Sequence, residues 1–180
     1  MNYCSACAAP VERRVPEGDD RERHVCGTCG EIHYQNPRII AGCLVTRGTS
    51  VLLARRAIEP RHGYWTLPAG FMENGESMAE GAARETWEEA RAQLQDLSLY
   101  ALYDIPHLNQ VYVFYRAELA GDAFDAGPES LEVALFEADH IPWDALAFPV
   151  MTRTLEYWRE DAADGPWPVR NERIAPMRRK

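Results

Sequence analysis

Glu85, Glu88 and Glu89 are the residues whose types and spacing point most directly to chemistry. At ~100° per residue on a helix, Glu88 and Glu89 stand on either side of Glu85, one turn along. Three carboxylates therefore converge. Like charges at this spacing repel by a few tenths of a kcal/mol per pair unless a cation sits against them. Mg²⁺ would do so, since it takes oxygen ligands from a few carboxylates, waters and substrate phosphates. The plainer alternative is a solvated acidic face eased by Arg84 and Arg91. Spacing alone favours that alternative, because exposed glutamate is common on helices.

A second set of chemical residues lies near the start. Cys4-x₂-Cys7 and Cys26-x₂-Cys29 are separated by 18 residues. Two thiolate pairs on tight knuckles close a tetrahedral Zn²⁺ site, and four protein ligands make such a site structural. Disulfides fit a reducing compartment poorly. So small a unit has too little apolar surface to fold without its metal.

The helix that carries the glutamates is expected from about Met78 to Arg91. Ser77 and Glu80 have capping-box spacing at its start, after the turn Glu73-Asn74-Gly75. Ala79, Ala82, Ala83, Thr86 and Ala90 form a small-residue stripe for packing. Gly70, Glu76, Arg84, Glu85, Glu88 and Glu89 together resemble the signature of the Nudix hydrolases: Gly, five residues, Glu, seven residues, Arg-Glu, two residues, Glu-Glu. The wider pattern outweighs the solvated-face reading. Thr86 stands where the family usually has an aliphatic residue, and Arg91 where it usually has Gly. Arg tolerates a left-handed helix ending less well than Gly does.

The resemblance implies an α/β fold, an α/β/α sandwich with a mixed sheet, preceded by a small zinc ribbon. The expected domains are 1–36 for the ribbon, 37–160 for the hydrolase and 161–180 for a loose C-terminal tail. The junction falls at Tyr34-Gln35-Asn36-Pro37. Strands are expected at Ile39–Thr46, Val51–Ala54, Leu97–Asp104, Gln110–Glu118 and Leu131–Phe136. The fourth is apolar on both faces and is read as central. Short helical segments are expected at Asp144–Leu146 and Met151–Arg159. Cys43 reads as a buried core thiol. Of Arg55 and Arg56, at least one reads as solvated and the other as a possible phosphate contact.

Composition sets outer limits. The chain has 180 residues, 46% hydrophobic and 26% charged, and a formal net charge of −9. That charge argues against a non-specific nucleic-acid binder, as do four Arg against six acidic residues in 1–36. It does not oppose a nucleotide substrate, because a bound divalent ion inverts the local field. No apolar run is long enough to span a bilayer, and no signal-peptide pattern opens the sequence. A cytoplasmic location is expected. A homodimer is allowed by the sequence without being indicated.

Hydrolysis of a diphosphate needs charge neutralised on the phosphates and a water held for in-line attack, both supplied by Mg²⁺ or Mn²⁺. The resemblance implies that Glu85, Glu88, Glu89 and the carbonyl of Gly70 hold the ion, and that Glu76 pairs with Arg84 to orient the loop. The general base is either one of these glutamates or a carboxylate of the 121–130 loop, where Glu129 is the candidate. The whole chain resembles a ribbon-bearing subgroup that cleaves FAD and ADP-ribose. NADH pyrophosphatases are the main rival; their Ser-Gln-Pro-Trp-Pro-Phe-Pro motif is absent from 93–106. A ligand-sensing regulator without catalysis is the reading from another class, opposed by the intact glutamates. Tyr64, Trp65, Tyr112 and Phe114 could form an aromatic wall for a flavin or adenine ring.

Overall fold

The computed structural model describes residues 1–176, with residues 163 and 164 described by their backbone alone. The chain divides into two compact units, the first Met1–Pro37 and the second beginning at Arg38.

The first unit is a three-stranded antiparallel sheet of β1 (Val11–Arg14), β2 (Arg23–Cys26) and β3 (Ile32–His33). Val25 and Cys26 are buried. That is almost all the apolar burial the sheet has, which is why the cysteine cluster beside it matters for folding.

The second unit is built on an eight-stranded mixed sheet. It contains β4 (Arg38–Arg47), β5 (Ser50–Arg56), β8 (Leu94–Ile105), β9 (Gln110–Leu119), β10 (Ser130–Glu137) and β11 (Arg170–Arg173), in the order β10-β5-β4-β9-β8-β11. Two short strands, β6 (Trp65–Thr66) and β7 (Ala69–Phe71), pair with β5 and β4. The β4–β9 and β8–β11 pairs are parallel; the others are antiparallel.

Helix α1 (Met78–Ala90) and helix α2 (Pro149–Asp164) cover opposite faces. Period-two alternation explains how one strand serves both. Ala41, Cys43 and Val45 of β4 pack with Ala82 and Ala90 of α1. Leu44 of β4, with Val51 and Leu53 of β5, packs with Met151, Leu155 and Trp158 of α2. Strands buried on both faces are necessarily near-continuous apolar runs. β9 lies in the interior of the sheet, as its two apolar faces suggest.

Two expectations are corrected. The segment after residue 160 is not a loose tail over its described part. α2 continues to Asp164, and β11 adds to the sheet edge with Arg170 opposite Ala101 and Arg173 opposite Asp104. Trp167 and Ile174 pack on the core, and Arg170 pairs with the buried carboxylate of Asp161. Residues 177–180 of the expected tail lie outside the described residues. The second correction concerns the end of α1. Arg91 takes the left-handed conformation, φ 50°, that its type disfavours, and its N–H donates to the Trp87 carbonyl at 2.9 Å. The cap hydrogen bond outweighs the local steric preference.

Candidate active site and metal centres

The turn before α1 is held by reciprocal caps. Glu80 N–H donates to Ser77 Oγ at 3.3 Å, and Ser77 N–H donates to Glu80 Oε2 at 2.7 Å. This fixes the first turn of α1 and so the rotation at which its glutamates emerge. Thr86, buried on the packed face, donates to the Ala82 carbonyl at 2.8 Å. The hydroxyl is satisfied within its own helix, so Thr is tolerated at a position beside Cys43.

Arg84 organises the acidic side. It donates to Glu76 through Nε at 3.0 Å and Nη2 at 2.8 Å, to Glu85 at 2.8 Å, to Glu88 at 3.2 Å and to the Phe71 carbonyl at 3.1 Å. The two-point bond to Glu76 ties loop to helix. Together with the Glu73 N–H, it holds the Glu76 carboxyl down at about 2.

Glu89 is the opposite case. It is 8% exposed, and among the described residues the one hydrogen bond to its carboxylate comes from the Ala69 N–H at 3.3 Å. Burial, then the neighbouring Glu85, pushes its carboxyl up to about 8. Glu85 is also raised, by burial against the pull of Arg84. A buried carboxylate so poorly compensated calls for a cation.

Glu85, Glu88, Glu89, Gly70 and Glu129 all line one cavity of about 710 Å³. Gly70 lies so close to Glu85 that a Cβ there would stand 2.3 Å from its carboxylate. Only glycine lets the backbone pass this close to the acidic group. Oxygen donors from three carboxylates and a carbonyl are what Mg²⁺ or Mn²⁺ takes, so these residues fit the ion that the resemblance implies.

Glu129 reaches the cavity because of a contact that sequence reading missed. Gly127 N–H donates to the Glu89 carbonyl at 3.0 Å, and a Cβ on Gly127 would lie 1.7 Å from the Glu88 carbonyl oxygen. The loop thus docks on the last turn of α1. On the other side Glu129 O accepts from Ala57 N–H at 2.8 Å. A glycine two residues before Glu129 was the only available signal.

Of the expected aromatic wall, Tyr112 alone lines the cavity. Phe114 is fully buried and stacks behind it, centroids 6.0 Å apart. Trp65 packs edge-on against Phe136 at 4.8 Å. Arg55 and Arg56 separate as alternation requires. Arg55 faces Glu132 at 3.6 Å, whereas Arg56 lines the cavity, donates through Nε to the Pro60 carbonyl at 2.9 Å and lies over Phe148.

In the first unit the Sγ atoms of Cys4, Cys7, Cys26 and Cys29 lie within 4.8 Å of one another. The Cys4–Cys29 and Cys7–Cys26 pairs are 3.6 and 3.5 Å apart. A tetrahedron with Zn–S bonds of about 2.3 Å has edges of roughly 3.8 Å, so the cluster fits Zn²⁺. His33 does not complete the set. Its Nε2 lies 3.3 Å from Cys4 Sγ, at hydrogen-bond distance. Burial opposes ionisation of Cys4, but the Ala6 and Cys7 amides with His33 bring its thiol down to about 6. Cys43 is separate, fully buried on β4, and burial pushes it up to about 12.

Residues 36–156 match the family described as the NUDIX domain, and residues 2–35 match its zinc-ribbon companion, described as Nudix N-terminal. This chain belongs to the Nudix hydrolase family. Its Nudix fold superposes on the crystal structure of a NUDIX hydrolase from Nitrosomonas europaea with a TM-score of 0.93 at 47% identity, covering 97% of this chain and 99% of that one. The NAD-capped RNA hydrolase NudC of Stutzerimonas stutzeri is 33% identical over 145 residues, 78% of this chain and 49% of that protein. An ADP-ribose pyrophosphatase of Methanocaldococcus jannaschii is 26% identical over 113 residues, 61% of this chain and 67% of that protein. The chain therefore spans about half the length of the NudC relative. No helix among the described residues is long and apolar enough to cross a membrane.

Proposed function

We propose that this chain hydrolyses the diphosphate bridge of an ADP-linked nucleotide of the NAD or ADP-ribose type. The observation that carries this is the convergence of Gly70, Glu85, Glu88, Glu89 and Glu129 on one cavity, with Gly70 fitted against Glu85 without room for a side chain. Mg²⁺ or Mn²⁺ held by the Gly70 carbonyl and the three α1 glutamates would supply Lewis-acid activation of the phosphate and of the attacking water.

The chain's own residues do the rest. Glu76 and Arg84 fix the loop on the helix and do no chemistry. Arg56, a cation lining the same cavity as the acidic cluster, faces the diphosphate. Glu129 takes a proton from the water as its oxygen bonds to phosphorus. The bridging P–O bond breaks, one water is consumed, and two phosphate monoesters leave as anions. Tyr112 offers its ring to the base. Zn²⁺ on Cys4, Cys7, Cys26 and Cys29 is structural.

The substrate order departs from the one expected from the missing Ser-Gln-Pro-Trp-Pro-Phe-Pro motif. The relatives described above carry NAD-capped RNA and ADP-ribose in their names, which supports those two classes ahead of FAD. RNA with a nucleotide cap is thus a substrate candidate despite the net charge of −9. The test is kcat/KM for NADH, an NAD-capped oligonucleotide, ADP-ribose, FAD and a nucleoside triphosphate, with Mg²⁺ and with Mn²⁺. FAD or the triphosphate leading all others tenfold, about 1.4 kcal/mol in transition-state binding, overturns the assignment.

A further inference from the structure

Arg91 is the residue of the family signature that departs most from its usual type, and it pays a steric penalty for being there. Its φ of 50° suits glycine. Yet Arg91 is among the residues that line the candidate catalytic cavity. Glu88, three residues earlier on α1, pairs with Arg84 at 3.2 Å and not with Arg91. Among the described residues Arg91 forms no salt bridge. Its guanidinium lies 5.7 Å above the ring of Trp87, 46% exposed, and donates to the Trp87 carbonyl over 3.5 Å. The planar fork is thus supported on one side and left with unused donors, a state suited to bidentate capture of a phosphate.

Its position decides which phosphate. Three residues along a helix advance about 4.5 Å. The backbone of Arg91 therefore stands one step past Glu88 and Glu89, with its guanidinium folded back over Trp87. Arg84 is taken up by Glu76, Glu85, Glu88 and the Phe71 carbonyl, and Arg56 is the cation assigned above to the diphosphate. We propose that Arg91 is a specificity residue that grips a phosphate lying beyond the bridge, the first internucleotide phosphate of a nucleotide-capped RNA. This inference rests on the reading under Proposed function and narrows its substrate class. The strained backbone at Arg91 is retained for that contact.

Glycine at this position separates structure from binding. Arg91→Gly relieves the backbone and should leave the melting temperature equal to or above that of the wild type. The same variant should lower the ratio of kcat/KM for an NAD-capped oligonucleotide to that for ADP-ribose about tenfold. Lysine should restore part of the ratio. Binding of the capped oligonucleotide in Ca²⁺, read by fluorescence anisotropy, should weaken about tenfold, and the slope of log K against log salt should fall by roughly 0.7, one single-strand phosphate contact. These binding measurements hold whether or not turnover occurs. An unchanged ratio, an unchanged salt slope, or a wild type that binds the capped oligonucleotide no better than ADP-ribose would overturn the proposal. A wild type that binds the oligonucleotide tightly but cleaves no diphosphate would instead overturn the hydrolase reading and leave this contact standing.

Discussion

Gly127 and Glu88 meet backbone to backbone: a Cβ on Gly127 would stand 1.7 Å from the Glu88 carbonyl oxygen. The loop bearing Glu129 is therefore seated on the helix bearing the acidic cluster. Gly127→Ala should lift the loop off α1. Forcing a methyl into a packed contact typically costs about 1–3 kcal/mol, so denaturant unfolding should show a loss in that range. Activity should fall further than Glu129→Ala alone makes it fall, because the mutation also disturbs the backbone at Glu88. A fully stable, fully active Gly127→Ala variant would show that the loop docks elsewhere.

Glu88→Gln and Glu89→Gln should each reduce turnover by more than the ~10–100-fold typical of groups that only orient metal ligands. Circular dichroism should show the fold intact in both. Glu80→Gln is the control on the same helix, since Glu80 is engaged with the Ser77 cap. It should cost at most about 1 kcal/mol of stability and little activity. Equal activity in all three variants would mean that Glu88 and Glu89 hold no catalytic metal.

Metal analysis of protein purified without added zinc should give close to one Zn²⁺ per chain. Replacing Cys26, which is buried, by Ser should abolish that retention. Four alkylatable or disulfide-linked cysteines in the native protein, with no zinc, would contradict the fit of the cluster.

Glu76 gives a pH signature. Its folded pKa is depressed to about 2 from the usual 4.5 by the Arg84 guanidinium. The unfolded chain therefore binds more protons between these values, and stability rises with pH across that window. The contribution is fully present above about pH 4.5 and is lost as pH falls through about 2. The stability gap between wild type and Glu76→Gln should be constant near neutrality and shrink below pH 4.5. A gap independent of pH down to 2 would mean that Glu76 is not held ionised by Arg84.

What the sequence disclosed was local. The capping box at Ser77, the helix carrying Glu85, Glu88 and Glu89, and the interior strand with Val111 to Tyr115 all announce themselves within a few residues. What it hid was set by distant partners. β11 reads Arg-Asn-Glu-Arg, a polar stretch with no strand pattern, and pairs with a strand 69 residues earlier. Its docking depends on Trp167, Ile174 and the Arg170–Asp161 pair, none of which is recognisable alone. Phe114 shares a face with Tyr112, but burial differs along one strand face, so the pair gives one cavity residue and one core residue. The close approach at Gly127 exists only once helix and loop are packed.

The polar composition of β11 has a consequence for how the molecule behaves in a crowded solution. A sheet edge is a row of unpaired N–H and C=O groups that any other strand can join. β8 would present such an edge, twelve residues long and holding the buried Ala101 and Tyr103. β11 pairs with part of that edge and has only four polar residues to offer in turn, with Asn171 and Arg173 exposed. At the opposite edge, β10 carries Glu132 and Glu137 and an irregular register at its start. Short length, polar composition and an irregular register are features that make a sheet edge a poorer template for a further strand, so β11 blunts the part of the rim that it covers as well as completing the fold.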